Sequence, residues 1–258
     1  MEASFDKAAA NYDRTFSHTR IGRMQRALVH TELSKHLSNV RNILEINCGT
    51  GEDAIWLATQ KLPITATDIS PRMIDIAKSK GSFDNLNFIA TDINAVTKTF
   101  EGKNFDMLLS NFGGLNCLSK SELEHFFTNI NSILSEKGKM VLVIMPKNTL
   151  WERFYFLAKA QFKNISRRKQ ESVVAHVDGE NVTTYYYNPK DIVNLAKANF
   201  ETIAVKPIGL FVPPSYLDGF FKNKKGILRF LNRLEQGIKN ISSLSKYADH
   251  YIIVLQKR

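Results

Sequence analysis

One segment constrains this chain more than any other: Ile43-Leu44-Glu45-Ile46-Asn47-Cys48-Gly49-Thr50-Gly51, a short apolar run that breaks without a spacer into a turn with two glycines. A strand that ends in such a turn and passes straight into a helix is the opening unit of a parallel α/β sheet, because parallel strands need a crossover connection to return. Glycines at the turn let the backbone approach a ligand with no Cβ in the way. The N-terminus of the following helix favours a carboxylate or phosphate.

The alternation continues downstream. Residues 54–58 read as helix, 64–69 as a second strand, and Pro71 opens the next helix at a favoured first-turn position. Residues 86–91, 105–110 and 140–145 read as strands three, four and five, with a helix over 121–134 stopped near Gly138. Strand five is apolar throughout, as a strand covered on both faces should be. Upstream, residues 1–40 read as helices, with Ala8, Ala9, Tyr12 and Phe16, then Ile21, Met24, Leu28 and Val29, at helical spacing.

After Pro146 the rhythm breaks. Residues 151–162 form an aromatic-rich helical pattern, and 173–177 and 182–187 alternate around Asp178-Gly179-Glu180-Asn181 as a β-hairpin does. Residues 189–198 return to helix, and 202–205 and 251–255 read as the last two strands. Between those strands residues 213–246 are mostly helical, with Ile227, Leu228, Leu231, Leu234, Ile238 and Ile241 on one face. The expectation is an α/β chain whose residues 1–258 make one domain. It has a Rossmann-like, seven-stranded, mostly parallel sheet with helices on both faces, plus a cap from insertions after strands five and six. The core takes 42–146, 189–210 and 249–258, the cap 147–187 and 211–248. Ligands bind such sheets at the carboxyl ends of the strands, the end from which both insertions leave.

Composition narrows the class. The net charge of +10 raises nucleic acid or an anionic surface as partners, but the basic residues are spread along the chain, with local clusters at Arg167-Arg168-Lys169 and at 222–225. A lysine-rich solvated exterior is the simpler reading. No apolar run is long enough for a membrane span. Residues 1–14 lack a secretory apolar core, and two cysteines make neither a disulfide framework nor a metal site. These features point to the cytoplasm and to no bound metal.

Two acids join the Gly turn. Asp68 ends strand two and Asp92 ends strand three. An acid at the first position accepts hydrogen bonds from ribose hydroxyls, so the set suits an adenosine-containing cofactor. Helix capping is the plain structural alternative for both. With these residues in place, residues 44–51 resemble the first motif of class I S-adenosylmethionine-dependent methyltransferases of the small-molecule type, E/D-x-G-x-G-x-G. Residues 104–112 resemble that family's fourth-strand segment, and 248–255 its last antiparallel strand.

The resemblance implies S-adenosylmethionine as cofactor and assigns positions to it. Glu45 orders the Gly turn and sits near the cofactor amino group. Gly49 and Gly51 pack on its methionine part. Asp68 binds the ribose hydroxyls, Ile69 lies on the adenine face, and Asp92 and Ile93 meet the adenine edge. Asn111 sits near the sulfonium, and Tyr12 closes over the cofactor. Asn47 departs from the pattern by standing where the family usually has its first glycine. Asparagine tolerates unusual backbone angles, so a local adjustment is expected.

For the acceptor the sequence offers less. A sulfonium methyl is already activated, so a general base is optional. The weak candidates are His18, His176 and Tyr186, beside His30 and the neighbouring tyrosines 185 and 187. Ser110-Asn111-Phe112-Gly113 is not the Asn/Asp-Pro-Pro-aromatic motif of exocyclic-amine methylation, and Cys117 is in no Pro-Cys pair. Both absences favour a small-molecule acceptor over nucleic acid. Phe112, Trp151, Phe154, Tyr155 and Phe162 read as packing. The competing readings are an RNA or protein methyltransferase, a non-catalytic module of the same fold, and a nicotinamide oxidoreductase using Tyr186 and Lys190. Pro189 argues against the last, because a helix that begins there cannot carry both side chains on one face. The basic stretch 222–239 raises peripheral membrane contact, with its apolar face expected to fold inward.

Overall fold

The computed structural model describes residues 5–177 and 180–258, with backbone alone at 176, 177 and 180. The expected hairpin turn at Asp178 and Gly179, the side chain of His176 and residues 1–4 lie outside the described residues. The chain opens with α1 (Ala9–Tyr12), a π-helical turn over Asp13–Ser17 and α2 (Arg20–Leu33). There follow β1 (Ile43–Ile46), α3 (Glu52–Thr59), β2 (Ile64–Asp68), α4 (Pro71–Ser79), β3 (Leu86–Ala90), α5 (Val96–Thr99), β4 (Phe105–Ser110), α6 (Lys120–Asn129) and β5 (Leu134–Ile144). The second half holds α7 (Leu150–Ala158), β6 (Val173–Val177), β7 (Glu180–Thr184), α8 (Pro189–Ala196), β8 (Phe200–Ile208), α9 (Asp218–Phe221), α10 (Lys225–Ile238) and β9 (His250–Lys257).

Seven strands make one sheet in the order β3-β2-β1-β4-β5-β9-β8, and β6 and β7 make a separate antiparallel pair. β1 to β5 pair in parallel, and β9 runs antiparallel between β5 and β8. The fold is thus the expected α/β sheet. From β1 the chain moves outward to β2 and β3, then returns to place β4 on the other side of β1. That reversal opens a crevice at the carboxyl ends. Register fixes what meets there: Ile46 pairs with Ser110, so Asn47 and Asn111 emerge side by side.

Strand alternation sends successive side chains to opposite layers. Met107, Leu109, Val141, Val143, Ile252 and Val254 pack against α2, α3 and α4. Leu108, Met140, Leu142, Tyr251 and Ile253 pack against α6 and α8. Helix starts follow side-chain caps: Ser70 Oγ accepts from Met73 N–H before Pro71, and Ser119 and Glu122 form a capping box on α6.

The boundary between α6 and β5 differs from expectation. The helix expected over 121–134 ends at Asn129, a 3-10 turn takes Ile130–Ile133, and β5 begins at Leu134. Gly138 is therefore inside a strand, where the β4–β5 register shifts between Phe105 and Met107. A Cβ there would meet the Ser135 carbonyl at 2.8 Å. The glycine permits a bulge and does not stop a helix.

Candidate functional site

Three adjoining cavities, of about 90, 350 and 420 Å³, lie at the carboxyl ends of the strands, and Phe5 and Cys117 line all three. A larger cleft of about 480 Å³ lies at the opposite ends, walled by Asn42, Pro63 and Asn85, and contains none of the expected site residues.

The smallest cavity sits over the crevice between β1 and β4, lined by Tyr12, Asn47, Gly49, Asp68 and Asn111. Asn47 is in the left-handed region at φ 53°. Its Nδ2 donates to the Asn111 carbonyl at 2.9 Å, and its Oδ1 accepts from Ser110 Oγ at 2.6 Å. A side chain therefore bridges the two strand ends where the family pattern has a glycine. Room for it comes from Gly114, where a Cβ would strike Asn47 Cγ at 2.1 Å.

Asp68 ties the turn to β2. Its Oδ2 accepts from Gly49 N–H at 2.8 Å and its Oδ1 from Ser70 N–H at 2.9 Å. Burial pushes this carboxyl up, against the pull of those amides. Gly49 faces open space, with Tyr12 the near neighbour at 3.7 Å. Gly51 does not behave as expected: at φ 78°, its missing side chain would meet the Phe88 ring at 2.8 Å and Ala77 at 2.9 Å. It packs against the protein core and lines none of the three cavities.

The 350 Å³ cavity continues along β2 and β3, lined by Asp68, Ile69, Asp92, Ile93 and Leu118. Ile69 is exposed, although its neighbours in β2 are buried. Asp92 caps the turn Ile93–Ala95, accepting from Asn94 N–H at 2.9 Å through Oδ1. The capping reading of Asp92 is thus correct, and the residue also lines this cavity.

Glu45 is buried beside Asp53 and Arg26 and lines no cavity. The bond that orders the Gly turn comes from Asp68, so Glu45 does not have the expected ordering role. Burial drives its carboxyl far up, the charge of Asp53 adding to that. Asp53 moves the other way: burial pushes it up, but Arg26 and His30 hold it below the usual range. The two neighbouring carboxyls are thereby pushed in opposite directions. Asp53 pairs with Arg26, contacts His30 Nε2 at 2.6 Å and accepts from Asn111 Nδ2 at 2.8 Å. The Asn111 amide is therefore committed inward, while the residue still walls the smallest cavity.

The N-terminal segment closes the cleft from above. Ser70 Oγ donates to Asp6, Thr50 Oγ1 donates to Asp13 at 2.5 Å, and Lys80 Nζ lies 2.6 Å from Asp13 and 2.7 Å from Glu52. His18 belongs to this outer cluster, 3.3 Å from Glu52, and lines none of the cavities, which removes it as a base for a bound acceptor. Asp13, His18 and Glu52 are close enough to suggest a cation site, but the Lys80 ammonium already bridges both acids. Tyr12 lines two cavities, and burial raises its phenol to about 12.

The 420 Å³ cavity holds residues that sequence reasoning missed. Phe112 follows β4 at φ 44°, a conformation that is strained for an aromatic residue by about 1–3 kcal/mol. Its ring meets Phe16 and His250 edge-on, with centroids 5.1 and 5.4 Å away, and lies 5.1 Å from the Arg26 guanidinium. His250 Nδ1 sits 3.2 Å from Asp249 Oδ2, off the hydrogen-bond axis. Asp249 also accepts from Gln25 Nε2 at 3.1 Å. Burial raises the Asp249 carboxyl, but His250, Arg168 and Gln25 bring it below its ordinary value. Beside them Glu152 accepts from Arg167 Nε and Arg168 Nε, each at 2.7 Å.

Tyr186 lines the same cavity, its ring 4.6 Å from the Arg168 guanidinium. Burial raises its phenol against that charge. It precedes α8, which starts at Pro189, so it shares no helical face with Lys190. Burial lifts the Cys117 thiol to about 11.

A family model described as a methyltransferase domain matches residues 43–138. The chain is 27% identical to magnesium-protoporphyrin O-methyltransferase of Rhodobacter capsulatus over 139 residues, covering 52% of this chain and 58% of that one. It is 30% identical to malonyl-[acyl-carrier protein] O-methyltransferase of Anoxybacillus flavithermus over 113 residues (43% and 40%), and 28% identical to demethylmenaquinone methyltransferase of Tropheryma whipplei over 142 (54% and 56%). The chain thus spans about half the length of the curated relatives it matches. A solved protein of Pyrococcus horikoshii OT3 superposes with a TM-score of 0.62 at 20% identity, covering 96% of this chain and 99% of its own. A methyltransferase of Methanosarcina mazei gives 0.60 at 16%, covering 88% and 96%. At such identities the structures speak for the fold, and the matched methyltransferase domain, residues 43–138, holds the Gly turn and both strand-end acids.

Proposed function

We propose that this chain transfers a methyl group from S-adenosylmethionine to a small-molecule acceptor held in the 420 Å³ cavity. The observation that carries the reading is continuity. The cavity of Gly49 and Asp68 and that of His250 and Arg168 share walls at Tyr12, Phe112, Gly113 and Cys117.

The residues present fit the cofactor. Gly49 faces open space, the exposed Ile69 sits beside Ile93 on one wall, and Asp68 keeps lone pairs beyond the two it gives to amides. In this reading Asp68 takes the ribose hydroxyls, Ile69 and Ile93 flank the adenine and Asp92 meets its edge. Gly49 lies along the methionine part, under Tyr12. When bound, S-adenosylmethionine supplies a methyl group on a sulfonium, already activated for displacement. The protein's own work is then alignment and proton handling. His250, whose Nδ1 lies 3.2 Å from the Asp249 carboxylate, takes the acceptor's proton through Nε2. Tyr186 and the Arg167–Glu152–Arg168 network hold the acceptor's polar groups. The names of the curated relatives, which speak of protoporphyrin, malonyl and demethylmenaquinone acceptors, support this substrate class.

Calorimetric titration with S-adenosylhomocysteine tests the reading. The unmodified chain binds it, NADH gives no heat, and Asp68→Ala weakens binding roughly 10- to 100-fold. No binding by the unmodified chain sinks the proposal. Transfer of labelled methyl from S-adenosylmethionine into a metabolite extract then isolates the acceptor; label in RNA or protein alone would overturn the small-molecule class.

A further inference from the structure

α10 is fixed on one side and apolar on the other. Leu228 packs into the core. Glu235 is fully buried, and its carboxylate accepts four backbone N–H bonds, from Gly209 (3.0 Å), Leu210 (3.2 Å), Phe211 (2.6 Å) and Val212 (3.0 Å). Charge-assisted bonds of that number hold the helix against rolling. Yet Ile227, Phe230 and Leu234, spaced three and four apart, face outward, with Phe230 58% and Ile227 50% exposed. The inward packing expected from sequence holds only for Leu228 and, in part, for Leu231 and Ile238.

A second exposed row, Lys225, Arg229 and Arg233, recurs every four residues alongside the apolar one. Just before it, Phe220 is 64% exposed, and its ring lies 3.1 Å from Lys224 Nζ. Residues 222–239 hold six Lys and Arg and a single acid, the buried Glu235, so no acid of this stretch faces outward.

We propose that this face docks on an anionic lipid surface, with Phe220, Ile227, Phe230 and Leu234 entering the headgroup boundary and Lys225, Arg229 and Arg233 meeting the headgroup charge. Charge decides among occupants. A symmetric pair of copies joined here would bring the two basic rows together, and like charges oppose that. An anionic bilayer satisfies both rows at once. Tyr216, in the turn before α9, is exposed and also walls the 420 Å³ cavity. The docking stands independently of the methyl-transfer reading.

The test is co-sedimentation of the full chain with vesicles of phosphatidylcholine alone or mixed with phosphatidylglycerol. Thermal melting serves as the fold control. Binding is expected to the mixed vesicles only. It should fall at least about tenfold in Phe230→Ser and in the Arg229→Glu/Arg233→Glu pair, with melting unchanged. No sedimentation of the unmodified chain with mixed vesicles overturns the proposal. Loss in the charge variant without loss in Phe230→Ser reduces the contact to adsorption and overturns apolar docking. A concentration-dependent dimer in ultracentrifugation, abolished by Phe230→Ser, would assign the face to a second copy instead.

Discussion

The two walls of the cleft are built in different ways. The wall along β1 to β3 consists of strand ends and the turns that leave them. Asn47, Asp68, Ile69 and Asp92 each stand within two residues of a strand terminus. The opposite wall gathers Phe16 before α2, Phe112 after β4, Glu152 on α7, Arg168 and Tyr186 around the hairpin, and Asp249 with His250 at the start of β9. Its central bond, Gln25 to Asp249, joins residues 224 apart in sequence. One wall is local geometry repeated; the other exists only once the whole chain has folded. The lesson is that the first wall can serve a shared cofactor while the second is free to differ with the acceptor.

The sharpest way to break that division is His250→Gln. If His250 serves only the acceptor wall, turnover on the acceptor found by methyl labelling falls about 10²- to 10⁴-fold, while affinity for S-adenosylhomocysteine stays unchanged. Equal loss of cofactor-product affinity would show that the walls are one unit. Asp249→Asn should follow His250→Gln at a smaller amplitude, because it removes the neighbouring charge and not the base.

A double-mutant cycle examines the first wall from within. Gly114→Ala puts a methyl group into Asn47 Cγ and should cost about 2 kcal/mol by denaturant unfolding, in the range of overpacked sites. Asn47→Gly removes the obstructing side chain. The double variant should recover most of the loss, a coupling that distant sites do not show. Simple addition of the two losses would mean that Gly114 matters for another reason.

This distinction also sets what sequence could reveal. The alternation of apolar runs and helices placed β1 to β5, the Gly turn and both acids, because those features follow from period and turn chemistry over short spans. The place of Asp68 beside the Gly turn was legible for that reason. Glu45 and Gly51 were placed correctly along the chain but not in role, since burial beside Asp53 and the proximity of Phe88 depend on layers packed from afar. His250 was hidden as the first residue of a strand, and its one local signal was the adjacent acid, Asp249. Phe112 carried none: a positive φ at an aromatic residue is imposed by its surroundings and has no composition cue.

Acid should loosen the joint between the walls before it unfolds either. Asp53 is held below its ordinary range, so its contribution is full above the unfolded carboxylate pKa and is lost as pH falls through the depressed folded value. It ties Arg26 and His30 of α2 to α3 and to Asn111. The melting temperature should therefore drop steeply below about pH 4. In Asp53→Asn the curve starts lower and is flatter across that window, by about 2 kcal/mol at neutral pH. Parallel curves for the two proteins would place the acid-sensitive group elsewhere.

The smallest effect concerns the segment that closes over both walls. Burial raises Asp13, but its bonds from Lys80 and Thr50 bring it below its ordinary value, so those contacts persist at neutral pH and fail as pH falls through the lowered value. The pair is partly exposed, and surface pairs of this kind contribute about 1 kcal/mol or less. Asp13→Asn should weaken S-adenosylhomocysteine about two- to fivefold, mainly through faster dissociation, because the segment covers a cofactor wall that is already formed. In acid the affinity of the unmodified chain should fall toward that of the variant, whose own affinity changes less. If the variant binds as tightly as the original at neutral pH, Tyr12 and Phe5 close the cleft without the Asp13 clasp, and the N-terminal segment belongs to the acceptor wall alone.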